Sequence, residues 1–145
     1  MAEAVDPYKL LRTLEDVADR HAKIVRSLNR ALSRLRRDTG DEELQALVLT
    51  YLRRLRVLRQ RLENSLQGPV NLDSVASEVR DNIATLSEYM IIVGMEYERD
   101  LLNKALLLAK RGARLIEESR ELIEEDLNKI EELASKLQVI VDKYY

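Results

Sequence analysis

Apolar residues recur at helical spacing along most of this chain, and that period constrains the fold more than any other feature. Advancing 100° per residue places Leu14, Val17, His21, Val25, Leu28, Leu32 and Leu35 on one side of a first helix. A second seam runs through Leu44, Val48, Tyr51, Leu52, Leu55, Leu58, Leu62 and Leu66. A third keeps its phase from Val79, Ile83, Leu86, Met90, Tyr97, Leu101 and Leu108 through Leu115, Leu122, Ile130, Leu133, Leu137, Ile140 and Tyr144. The expected class is all-α.

Local chemistry sets the expected helix ends. Asp6 is an N-cap and Pro7 takes the first helical position, where its missing N–H costs nothing, so helix 1 should run over about 7–38. Gly40 is expected in a left-handed C-terminal position, and Asp41 caps helix 2, about 41–67, ahead of Glu42 and Glu43. So short a link makes the two helices antiparallel neighbours. Gly68-Pro69 stops helix 2, and Asp73 is the expected cap of helix 3, about 74–111.

Beyond that point two architectures compete. Lys110-Arg111-Gly112 reads as a helix C-terminus, with cations in the last turn and glycine beyond, giving helix 4 over about 113–144 and an antiparallel four-helix bundle in a single domain, 1–145. Against a break, no good N-cap follows Gly112 and the apolar phase continues across it. A continuous helix of about 72 residues would run roughly 108 Å. In that arrangement the N-terminal hairpin packs on one very long helix, and the uncovered seam demands a coiled-coil dimer.

The 145 residues, 34% charged with net charge −2, exclude a disordered polyelectrolyte. The longest apolar runs, such as Met90 to Met95, are too short to cross a bilayer, and Met1 to Pro7 lacks the features of a secretory signal. No integral membrane segment is expected. Cysteine is absent, which removes disulfides, thiolate catalysis and the usual structural zinc sites and makes a cytoplasmic location the expectation. Dense charge and arginine in excess of lysine fit a thermophilic source.

The near-neutral total hides an asymmetry. Residues 1–69 carry 14 Lys/Arg against 10 Asp/Glu, and residues 70–145 carry 10 against 16, so the halves stand at +4 and −6. Within the basic half, Lys23, Arg26, Arg30, Arg34 and Arg37 line the side of helix 1 opposite its apolar seam. No Asp or Glu falls between Arg20 and Arg37, so pairs such as Arg26/Arg30 repel by roughly 0.2–0.5 kcal/mol each in an isolated helix. Arg53, Arg54, Arg56, Arg59 and Arg61 extend the positive charge into helix 2, although Arg53, Arg56 and Arg61 scatter around it.

Other constellations read as structural. His21, the sole histidine, sits in the apolar seam and is expected to be a core residue with one hydrogen-bond partner. Glu117, Glu118, Glu121, Glu124, Glu125, Glu131 and Glu132 lack the histidine of a di-metal bundle site and point mostly outward. Pairs such as Arg114/Glu118, Glu125/Lys129 and Glu132/Lys136 fit a solvated face. Asp126 alone falls in the seam, where a carboxylate needs an arginine or an opening in the packing. No phosphate loop, nucleophile elbow or metal-ligand spacing occurs, so no enzyme, cofactor or metal is expected.

Two functions follow. In the first, a non-enzymatic helical module binds a nucleic-acid backbone through Lys23, Arg26, Arg30, Arg34 and Arg37, with Arg53 and Arg54. All six aromatics are tyrosine and none interleaves with the helix 1 cations, so base stacking is poorly served. In the second, the chain is a homo-oligomeric scaffold, a dimer in its simplest form, or a protein-interaction subunit. Its basic and acidic halves then pair within or between subunits.

Overall fold

The computed structural model describes residues 3–145. Residues 1–2, part of the N-terminal stretch considered above, lie outside the described residues. Helix α1 (Pro7–Leu35) begins where Asp6 Oδ1 accepts from the Tyr8 amide at 2.9 Å, with proline in the first turn. It ends at Leu35, short of Asp38, and Arg36 to Asp38 make a turn. Helix α2 (Glu42–Ser65) starts at Asp41, whose Oδ1 accepts from Leu44 N at 3.1 Å. Gly40 does not adopt the expected left-handed conformation, because the turn closes through Asp41 N to Asp38 O at 3.1 Å with φ negative. Gly68, at φ 110°, ends the second helical stretch instead.

Helix α3 (Ser77–Tyr89) starts later than Asp73, and Asp73 does not cap it. The cause is Leu72, fully buried, around which the chain turns before the helix begins; the Leu72 amide donates to the Tyr144 hydroxyl at 2.9 Å. Helix α3 then runs without interruption through a π-helical turn, Met90–Met95, into α4 (Glu96–Lys110). The π turn is the same Met90 to Met95 run that is the longest apolar stretch of the sequence.

The chain breaks at Gly112, which stands at φ 111°, a region that side chains with a Cβ rarely adopt. Short helix α5 (Arg114–Glu118) and helix α6 (Arg120–Tyr144) follow, separated by Ser119. The missing N-cap is supplied from elsewhere. Buried Gln45, on α2, accepts at Oε1 from Leu115 N at 2.8 Å, while its Nε2 donates to Thr39 O at 3.0 Å. A side chain 70 residues away thus meets an orphan donor of the new helix.

The result is an all-α helical bundle with one apolar core drawn from every long helix, from Leu10, Leu14 and Leu28 through Leu52, Leu55 and Leu62 to Leu101, Ile123 and Leu137. Helix α1 lies beside α2 on one flank and beside the α3 to α4 stretch on the other. Helix α6 completes the arrangement against α3, α4 and the end of α2. The backbones of α1 and α6 are not neighbours, and neither are those of α2 and α4, which meet only through side chains. No described helix is long and apolar enough to cross a membrane.

Candidate functional site

The cations nominated by sequence are exposed but not gathered into one group. Lys23 Nζ pairs with Asp19 Oδ2 at 3.1 Å, and Arg20 Nε with Asp16 Oδ1 at 2.9 Å, so carboxylates one turn earlier offset the first part of the stripe. Arg26 Nε donates to Ala22 O at 3.2 Å and Arg30 Nη2 to Ser27 Oγ at 3.2 Å. Arg34 and Arg37 are exposed, and Arg37 already lies in the turn after α1. Arg53 and Arg54 are exposed on α2, and Arg54 sits 5.7 Å from the centre of the Tyr51 ring. Lys23 and Arg54 share a groove between α1 and α2 with Ile24, Val57 and Leu58. Arg26 instead borders a different cleft, on the π-turn side of α1.

The extension of the stripe into α2 is only partial, because three of the expected surface arginines are neutralised within the chain. Arg61 Nη1 reaches Asp16 Oδ2 on α1 at 2.7 Å, and Arg56 and Arg59 turn inward. Asp16 therefore receives two guanidinium groups, and hydrogen bonds from Arg20 and then Arg61 hold its carboxyl below the usual value.

The acidic C-terminal residues find partners away from α1. Arg99 bonds Glu96 and Glu131, Arg120 bonds Glu117, and Lys129 lies 3.5 Å from Glu132. Arg114 reaches Glu42 on α2 at 3.8 Å and not the expected Glu118, since the short α5 places it beside the start of α2.

The most organised polar feature is a buried network that joins four helices. His21 Nε2 lies 2.6 Å from Glu98 Oε1; the other oxygen of Glu98 accepts from Arg59 Nη1 at 3.1 Å. Arg59 Nη2 donates to Asp126 Oδ1 at 2.6 Å, and Arg56 Nε stands 2.9 Å from both oxygens of Asp126. Arg56 Nη2 is 2.8 Å from Oδ2 as an ion pair but is not aligned for a hydrogen bond, so it is a fully buried donor without a partner. Two guanidiniums thus face two carboxylates, with the His21 imidazole at one end of the chain. Side-chain exposure is 8% or less for His21, Glu98, Arg59 and Asp126, deep enough that each charge depends on its partner.

His21 and Asp126 are the two members that sequence singled out, and both occupy the interior. Arg59 and Glu98 were missed. Arg59 carried a signal, since it follows Leu55 by four and precedes Leu62 by three on the buried face. Glu98 carried none, because a plain α-helical phase puts Tyr97 at the seam. The extra residue of the π turn advances the register by one position and substitutes Glu98, buried, for Tyr97, half-buried.

Among the described residues no group of three or more His, Asp or Glu side chains is arranged to hold a metal ion. The network can hold five side chains in one register, and it touches two openings. A cleft of about 180 Å³ between α2 and α6 reaches Arg56, Arg59 and Asp126, and another of about 270 Å³ beside the π turn reaches His21. No protein-family model, no curated protein and no solved structure matches the chain.

Proposed function

We propose that this chain is a non-enzymatic, self-assembling scaffold subunit, an antiparallel four-helix bundle forming a single domain, with the basic face of α1 in one copy docked on the acidic face of α6 in the next. One observation carries this reading: the backbones of α1 and α6 are not neighbours, and no ion pair joins Arg26, Arg30, Arg34 or Arg37 to an acidic residue among the described residues. Arg56 and Arg59 are ion-paired within the chain, whereas Arg26, Arg30, Arg34 and Arg37 and the exposed Glu118, Glu121, Glu124 and Glu125 of the C-terminal half are not among the ion pairs of the described residues. Opposite faces on opposite corners favour a head-to-tail contact between copies.

Sedimentation velocity across ionic strength tests this. Assembly at low salt should give way to monomer as salt rises, and Arg30→Glu, Arg34→Glu and Arg37→Glu together should abolish it. A chain that is monomeric at low salt sinks the proposal. So does binding of a duplex oligonucleotide that the same triple variant removes without any change in self-association, the outcome expected of a nucleic-acid-binding module.

A further inference from the structure

The cleft beside the π turn is lined by Ala22, Val25, Tyr89, Val93, Gly94 and Tyr97, with Arg26 at its edge and His21 also on its wall. It is therefore an apolar recess with one cation outside and one imidazole inside. Its volume, about 270 Å³, suits a small molecule and not a helix or a strand. A Cβ on Gly94 would stand in ordinary contact with Met90 Sδ at 3.4 Å and His21 Cε1 at 3.5 Å, so the glycine backbone lies directly against the ring that borders the cleft. The π turn contributes Val93 and Gly94, and irregular turns of this kind recur at ligand sites.

The orientation of His21 follows from its neighbours. Glu98 accepts from both Arg59 and His21, so Nε2 carries the proton, a tautomer assigned from the hydrogen-bond network. Nδ1 has no hydrogen-bond partner among the described residues. The His21 ring is part of the cleft wall. In this tautomer Nδ1 is the accepting nitrogen of a ring that borders the apolar recess. At the edge, Arg26 uses Nε on Ala22 O and leaves its two terminal amino groups without partners among the described residues.

We propose that this cleft binds a small apolar acid bearing a hydroxyl at the end remote from its carboxylate. The hydroxyl donates to His21 Nδ1, the apolar body packs on Val25, Val93 and Tyr97, and the carboxylate meets Arg26. The Glu98, Arg59 and Asp126 chain holds the imidazole in the accepting tautomer, as a carboxylate does for a ligating or catalytic histidine. Arg26 belongs to both the cleft and the basic face of α1, and the two readings are separated by their tests, since the assembly variant exchanges Arg30, Arg34 and Arg37 and leaves Arg26 in place.

Titration calorimetry with 4-hydroxyphenylacetate tests it, with phenylacetate lacking the hydroxyl and 4-methylphenol lacking the carboxylate. The expected result is saturable binding of the first, with each of the other two about tenfold weaker. Arg26→Gln should remove the preference for 4-hydroxyphenylacetate over 4-methylphenol without weakening the phenol. Val93→Trp, at a half-exposed position of the π turn, should fill the cleft and abolish all binding while the circular dichroism melt stays cooperative. Absence of saturable binding, equal affinity for the three compounds, or binding unchanged by Val93→Trp overturns the proposal.

Discussion

Arg59 and Glu98 hydrogen-bond at 3.1 Å although their helices, α2 and α4, do not lie side by side. The bond joins two helices whose backbones are not neighbours, and the second amino group of Arg59 ties α6 to the same point through Asp126. A network of this kind contributes little net stability over well-packed apolar residues, but it penalises every register that leaves one member unpaired.

Removing one member should therefore cost far more than removing the pair. Arg59→Met leaves Glu98 and Asp126 short of a partner in the interior and should destabilise by about 3–5 kcal/mol in urea denaturation. Adding Glu98→Gln and Asp126→Asn to the same chain should recover a large part of that loss. If the single substitution costs under about 1 kcal/mol, the network is wetter than its burial implies.

Gln45 offers a second test, because it stands in for the N-cap that the sequence around Gly112 lacks. Gln45→Ala should leave Leu115 N and Thr39 O unsatisfied and cost about 1–3 kcal/mol. Amide exchange at Leu115 should accelerate, whereas exchange in the middle of α1 should follow only the global loss. Equal acceleration at both sites would argue against a local cap.

Asp16 gives the pH dependence. Its carboxyl is held below the usual value of 3.8 by Arg20 first and Arg61 second. For a depressed carboxylate the stabilisation is fully present above the unfolded-state value and is lost as pH falls through the lower, folded-state value. Asp16→Asn should accordingly lower stability near neutral pH and flatten the acid limb of the stability curve below about pH 4. An NMR titration of Asp16 with its midpoint at or above the ordinary value would contradict this.

How much of this was legible in the sequence depends on the range of the interactions involved. Asp6, Pro7 and Asp41 mark their helix starts because capping is settled within three residues. Gly112 marks a break for the same reason, yet the donor it frees is met by Gln45, which no local pattern could nominate. Asp126 declared itself by lying in an apolar seam, but its partners Arg56 and Arg59 looked like surface cations, since a charge is buried only when a distant partner makes burial possible. Lys23, Arg26, Arg30 and Arg34 are exposed on α1, as their spacing predicts, while Arg37 lies in the turn beyond its end, and a partner for these cations is not encoded in that spacing.

Tyr97 and Glu98 exchange places because the π turn adds one residue to an otherwise regular helix. Without Ile92, the buried residues Ile83, Met90, Met95, Glu98, Leu101, Ala105 and Leu108 would fall on one face of an uninterrupted α-helix. Ile92 is exposed, so its deletion removes no core contact. We expect the deletion variant to fold with stability within about 1 kcal/mol of the parent and to keep the His21 to Glu98 hydrogen bond, seen as a protected imidazole N–H resonance. Inserting an alanine after Ile92 should do the opposite, rotating α4 by about 100° against α3 and turning Glu98 out of the interior. Stability should then fall by several kcal/mol and the protected resonance should vanish. If deletion and insertion are equally damaging, the turn has a structural role of its own beyond correcting register.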